Sequence, residues 1–196
     1  MAETSVEGPA PATRGRRLDA RRNLEGIVVA AAELLARAPR ASMQDVAAAA
    51  GLHRATVHRH FPARDDLLAA VRDHAFAVAE AQMDADARVG TGEPAIRVVE
   101  RIVGGQIEVN DRYRITRYIP MVEGKREVDR PDRLRPLTDA VARAQADGAL
   151  RDDLPAGELA IAIAGLIVST LPELYQGRMS HADATTFCLA LVRATR

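Results

Sequence analysis

Residues 42–64 constrain this chain more than any other stretch. They read Ser-Met-Gln-Asp-Val-Ala-Ala-Ala-Ala-Gly-Leu-His-Arg-Ala-Thr-Val-His-Arg-His-Phe-Pro-Ala-Arg. The pattern predicts two short helices around a tight corner. Ser42 is placed to cap the first helix by accepting a backbone N–H from its first turn, and Asp45 adds negative charge there. Asp45 matches a capping box only in part, since Glu or Gln is preferred at that position. Gly51 stands where the chain must leave the helix, and glycine tolerates the left-handed backbone such a stop needs. A second helix is expected from His53 to His60, with Val57 and Phe61 as inward anchors and Pro62 ending it. Arg54, Ala55, Thr56, His58 and Arg59 are left on its outer side. Two helices joined by a short glycine corner make a helix-turn-helix, whose second helix enters the DNA major groove. On this reading Arg54, Ala55, Thr56, His58 and Arg59 meet base edges or phosphates, while Ser42 and Arg64 position the motif on phosphate.

Charge distribution agrees. The whole chain is neutral, with 27 basic and 27 acidic residues. Between Pro11 and Arg64, however, there are ten arginines against four carboxylates, a net of +6, so the remainder carries −6. A basic end on an acidic body suits docking on double-stranded DNA. Arg16 and Arg17, in a basic arm at Thr13–Arg17, are candidates for phosphate or minor-groove contact.

The run Gly51-Leu52-His53-Arg54-Ala55-Thr56-Val57-His58-Arg59-His60-Phe61, followed by Arg64 and Leu67-Leu68, resembles the DNA-binding segment of the TetR family of transcriptional repressors. Upstream, Arg22, Ile27, Ala30-Ala31 and Leu34-Leu35 are similar to the family's first helix. The resemblance covers residues 20–75 most strongly. Three positions depart from the family pattern. His53 replaces a Ser or Thr cap, His58 replaces a Tyr that contacts phosphate, and Arg64 replaces a Lys that does the same.

The remaining sequence predicts helices throughout, with no alternating strand pattern. Residues 1–13 are rich in Ala, Pro, Glu and Thr and are expected to be a disordered tail. A first helix is expected from Leu18 to Ala38, with Leu24, Ile27, Val28, Ala31, Leu34 and Leu35 at helical spacing. After the motif, a long helix from Pro62 to Arg88 precedes one from Glu93 to Val109. Asn110-Asp111 would then cap a sixth segment to Met121. Later helices are expected from Pro131 to Asp147, from Leu154 to Gln176 and from Ser180 to Arg196. The expected fold is therefore all-α with about nine helices: an N-terminal three-helix DNA-binding domain at 14–62 and a helical ligand-binding and dimerisation domain at 63–196. Aromatics make up only 3% of the chain, so Leu, Val, Ile and Ala must build the core.

Leu159–Leu171 leaves almost no polar face, and a helix apolar nearly all round is buried. In a chain this small a second copy is the expected cover, through Leu159, Ile163, Leu166, Ile167, Phe187 and Leu191. The family resemblance implies the same: its last two helices pair into a four-helix dimer bundle. It also implies a ligand pocket between the fourth and seventh helices, with Phe76, Met83, Ile102, Gln106, Tyr118, Val141 and Thr170 as candidate lining for a small lipophilic effector. No cofactor motif is found. Gly104-Gly105 lacks the strand and Lys of a phosphate loop and instead marks close packing or a kink. His53, His58 and His60 do not share a helix face, which argues against a metal site, and Cys188 has no basic neighbour to activate it. The apolar run 159–171 is shorter than the ~20 residues of a membrane span, and the N-terminus lacks a hydrophobic signal core, so a cytoplasmic location is expected. The expected function is a dimeric regulator of transcription that binds a palindromic operator and is released by its effector. An activator or bifunctional regulator with the same DNA contacts, or a helical enzyme, is the alternative.

Overall fold

The computed structural model describes residues 11–88, 90, 92–114, 116 and 133–193, with backbone alone for 11–21. Eight helices and no strand occur among the described residues: α1 Pro11–Arg37, α2 Met43–Ala49, α3 Arg54–His60, α4 Arg64–Asp86, α5 Ala95–Arg112, α6 Arg135–Ala146, α7 Ala156–Tyr175 and α8 His181–Ala190. Packing divides the chain into two units, one ending at Val71 and one covering Arg72–Arg196.

In the first unit, Ile27, Val28, Ala31, Ala32 and Leu35 of α1 are buried, as are Val46 and Ala47 of α2, Val57 of α3, Phe61, and Leu67 and Val71 from the start of α4. The spacing of the α1 set is that of one helix face. Leu24, expected among them, is instead 39% exposed. α1 also starts seven residues earlier than expected, so Thr13–Arg17 is helical and not an extended arm. The physical reason is local. Pro11 suits a first helical turn, and the Ala and Arg residues that follow are strong helix formers even without an apolar stripe. Residues 1–10 of the expected tail lie outside the described residues.

The second unit is built on α5. Val98, Val99, Ile102, Val103, Gln106, Ile107 and Val109 give it one buried face, and α6, α7 and α8 all pack against it. Leu137, Ala140, Val141 and Ala144 from α6, Leu159, Ala160, Ile163 and Ile167 from α7, and Ala184, Cys188 and Leu189 from α8 complete the core. Burial pushes the Cys188 thiol above its ordinary range, so it behaves as a small core residue.

The segment expected to begin anew at Asn110-Asp111 continues α5 to Arg112, and Asn110 donates its side-chain N–H to the Gln106 carbonyl at 2.7 Å within the same helix. Residues 117–121 of that expected segment lie outside the described residues. Gly105 sits mid-helix where α5 meets α4: a Cβ there would collide with the Asp86 carboxylate. Close packing is therefore what Gly105 provides, whereas a Cβ at Gly104 would make only an ordinary contact with Thr185 Oγ1 at 3.7 Å. Arg101 fixes the same junction, donating to the Asp86 and Arg88 carbonyls at 2.9 and 2.8 Å and pairing with Glu93. It satisfies carbonyls that the end of α4 leaves open.

α7 runs 20 residues, through Pro172 to Tyr175. Among the described residues it alone is long and apolar enough, by length and composition, to cross a membrane. The helix outruns the apolar stretch 159–171 because it starts at Ala156, takes in Glu158 and continues through Pro172 to Tyr175. Burial of Leu159, Ala160, Ile163, Ile167, Thr170 and Leu171 gives that composition a core function here.

Candidate nucleic-acid interface and effector cavity

The helix-turn-helix is formed by α2 and α3, and its local chemistry explains both. Ser42 has extended backbone, and its Oγ accepts the Asp45 N–H at 3.2 Å, while the Ser42 N–H donates to Asp45 Oδ2 at 2.7 Å. The capping box that Asp45 matched only in part from sequence is complete in the structure, and Ser42 also donates its hydroxyl to the Asp45 carboxylate at 2.8 Å. The backbone bond from Ser42 holds the Asp45 carboxyl below the usual carboxylate range. A carboxyl depressed in the folded state supports the fold at neutral pH, and that support fades as pH falls through its folded pKa. Gly51 adopts φ +66°, and the Leu52 N–H returns to the Ala47 carbonyl at 2.9 Å. This closes α2 and turns the chain into α3.

α3 begins after His53, which gives it no side-chain cap bond. Val57 is fully buried on one side. Arg54, Ala55, His58 and Arg59 are exposed and Thr56 is half-buried. Four of the five expected contact residues on this helix thus share its open side, and Thr56 borders it. His60 is half-buried, with Nε2 lacking a hydrogen-bond partner. Among the described residues no group of three or more His, Cys, Asp or Glu is arranged to hold a metal ion.

Two expected phosphate contacts have structural work that the sequence did not disclose. Both donors of Ser42 face Asp45, so a phosphate contact from its hydroxyl requires that the hydroxyl turn away from the cap. Arg64 donates to the Pro39 carbonyl at 2.9 Å and also to the Ala41 carbonyl. It straps the α1–α2 loop from the start of α4, using two of its five N–H donors. Arg16 and Arg17 lie in α1, and their side chains are outside the described residues.

In the second unit a cavity of about 860 Å³ is lined by α4, α5, α6 and α7. Phe76, Met83 and Gln106 border it as expected. Ile102 and Val141 do not: both are fully buried in the core between helices. Thr170 does not either; it is buried with its hydroxyl on the Ile167 carbonyl of its own helix. Tyr118 lies outside the described residues. The sequence missed Glu80, Arg133, Leu134, Leu137, Glu158, Ile161 and Val168. Arg133 pairs with Glu80 at 3.1 Å and stands 4.7 Å from the centre of the Phe76 ring. Gln106 is held by its Nε2 on the Ala79 carbonyl at 2.9 Å.

The expected dimer residues also divide. Leu159, Ile163 and Ile167 are buried in the chain's own core, and Leu166 packs half-buried against it. Those first three are therefore not available to a second copy. Among the described residues of α7, α8 and its C-terminal end, the exposed large apolar side chains are Ile161, Val168, Phe187 and Leu191, at 64%, 50%, 43% and 51% exposure. Only Phe187 and Leu191 keep their expected place at the surface.

Residues 27–71 match the model of a family described as bacterial regulatory proteins, tetR family. The chain is 36% identical over 102 residues to the HTH-type transcriptional repressor LfrR of Mycolicibacterium smegmatis, an alignment covering 52% of each protein. It thus spans about half the length of that curated relative. The structure of the TetR-like regulator LfrR from Mycobacterium smegmatis in complex with proflavine superposes with a TM-score of 0.68 and 25% identity, covering 86% of this chain and 94% of that one. A TetR-family regulator from Rhodococcus sp., described as putative in its own structure, shares the fold at 22% identity and a TM-score of 0.61, over 86% and 96% of the two chains.

Proposed function

We propose that this chain is a ligand-responsive transcriptional repressor of the TetR kind, a reading supported by the match of residues 27–71 to the tetR family model and by its similarity to LfrR. It works as a homodimer in the cytoplasm on a palindromic operator. Residues 14–62 read the DNA, and residues 63–196 bind the effector and pair the subunits. The observation that carries this is α3 itself: a helix anchored by buried Val57, with Arg54, Ala55, His58 and Arg59 on its open side. Each subunit presents that helix to one major groove, so the dimer reads two half-sites about a helical turn apart.

The cavity is the effector site. Phe76, Met83, Leu134, Leu137, Ile161, Ile167 and Val168 suit a small lipophilic molecule, and the related LfrR is known in complex with proflavine. Regulation follows if the effector favours the arrangement that does not bind DNA. Equal affinity for both arrangements would shift nothing. α4 carries cavity residues Phe76, Ala79, Glu80 and Met83 and begins at Arg64, so one continuous helix belongs to both functions.

Selection of genomic fragments at low salt tests the reading. A few fragments sharing an inverted repeat are expected to be retained, and a small lipophilic molecule is expected to release them. Retention of all fragments alike, or of none, overturns it. Within this scheme Arg64→Ala weakens every DNA sequence about equally and lowers the slope of log affinity against log salt by about one unit. The same substitution removes the loop strap, so urea unfolding should show a loss of about 1–3 kcal/mol. A loss confined to one operator base pair contradicts the phosphate role.

A further inference from the structure

Gln106 and Asn110 are one helical turn apart on α5, and both border the cavity. Each amide is anchored by its nitrogen. Gln106 Nε2 donates to the Ala79 carbonyl of α4 at 2.9 Å, and Asn110 Nδ2 donates to the Gln106 carbonyl at 2.7 Å. A carboxamide held by its nitrogen presents its oxygen at the other end, and it cannot flip without giving up that bond. Among the described residues nothing donates to Gln106 Oε1 or to Asn110 Oδ1. Neither oxygen is sealed off: the one side-chain nitrogen or oxygen shut away without a partner among the described residues is His60 Nε2. Gln106 is only 7% exposed, so what remains open of it is the part that meets the cavity.

Thr138 adds a third group of this kind from α6. The hydroxyls of Ser169, Thr170 and Thr185 bond to carbonyls of their own helices. The Thr138 hydroxyl has no partner among the described residues, and it too borders the cavity. These oxygens interrupt walls built largely of apolar side chains. A buried oxygen left without a donor costs free energy, and a ligand that brings the donor recovers it. A ligand that offers only acceptors, such as an ether, ester or ketone, sets oxygen against oxygen and strands both.

The geometry points to Gln106 and Asn110 as the specificity-determining edge of the cavity: they select lipophilic molecules that present an O–H or N–H donor and reject isosteres that have lost it. This rests on the cavity being the effector site and adds the polar group that the effector must carry. The apolar walls then hold the body of the molecule, and the two amide oxygens fix which end of it faces α5. Thr138 offers a further acceptor from α6.

Two probes of one ring system test this by fluorescence titration of the full chain at neutral pH. 2-Naphthol carries an O–H donor, and 2-methoxynaphthalene has a methyl group in place of that hydrogen; both are uncharged. The native protein is expected to prefer 2-naphthol by about tenfold. Gln106→Met keeps the length of the side chain and loses the amide, and it should weaken 2-naphthol by about tenfold. Asn110→Ala leaves the tie between Gln106 and Ala79 in place and should weaken 2-naphthol by about threefold, which keeps the test open if Gln106→Met fails to fold. 2-Methoxynaphthalene should change by less than about twofold in either variant, which also reports that the cavity is still formed. A native protein that does not prefer 2-naphthol, or variants that lower both probes equally, overturn the edge while leaving the cavity an effector site. Failure of both probes to bind the native chain, alongside intact selection of operator fragments, removes the cavity from the effector role and the edge with it.

Discussion

Replacing Arg54 and Arg59 together by Ala abolishes operator recognition while leaving the fold intact. Both side chains are exposed on α3, and Ala is at least as good a helix former as Arg. The melting temperature should therefore hold to within a few degrees, and far-ultraviolet circular dichroism should not change. Binding changes because each arginine able to fork onto a guanine edge contributes about 1–3 kcal/mol of discrimination. A dimer presents four such arginines. Even at the lower bound the summed loss is about 4 kcal/mol, or roughly a thousandfold in affinity. Salt separates their two modes of contact: each phosphate contact removed lowers the slope of log affinity against log salt by about 0.9, and base-edge contacts leave it nearly unchanged. Operator affinity within about twofold of native, with the fold retained, removes α3 from the groove.

That motif was legible because its signals are local. Ser42, Asp45, Gly51 and Val57 each act on backbone within a few residues, so their spacing alone gives the cap, the corner and the buried side. Features that depend on distant partners were not legible. Arg64 reaches back to Pro39 and Ala41, and nothing beside it in sequence announces those carbonyls. α7 shows the limit of periodicity. Ile161 and Ile163 are the same residue two positions apart, yet one is 64% exposed and the other fully buried. A helix apolar on every side has no pattern to orient it, and only packing against α5, α6 and α8 decides which side faces inward. The cavity failed in the same way. Met83 and Ile102 look equally suited as lining, but Ile102 lies on the side of α5 that fills the core. Arg133 could not be placed beside Phe76 before α4 and the start of α6 were brought together.

The orientation of α7 and α8 sets the expected result of a second double substitution, Phe187→Glu with Leu191→Glu. These two residues are one turn apart on α8 and at its end, and neither lines the cavity. Placed on a two-fold interface, each change counts twice, because the same patch from both subunits meets itself. Burying an apolar side chain of this size contributes about 1.5–3 kcal/mol, so losing four of them removes at least about 6 kcal/mol and raises the dimer dissociation constant by roughly ten-thousandfold. The four introduced carboxylates would face one another across the axis and add repulsion. Sedimentation equilibrium at micromolar concentration should then find a folded monomer, since Cys188, Leu189 and Val192 on the inward side of this segment are untouched. Operator binding should fall with the dimer, because a lone subunit engages a single half-site. Binding of a small molecule in the cavity should persist if Ile161 and Val168 receive it from within one subunit, and weaken in step with dissociation if the second copy completes the wall they border. A dimer that survives both glutamates places the subunit contact elsewhere, and Phe187 and Leu191 would then be ordinary exposed side chains.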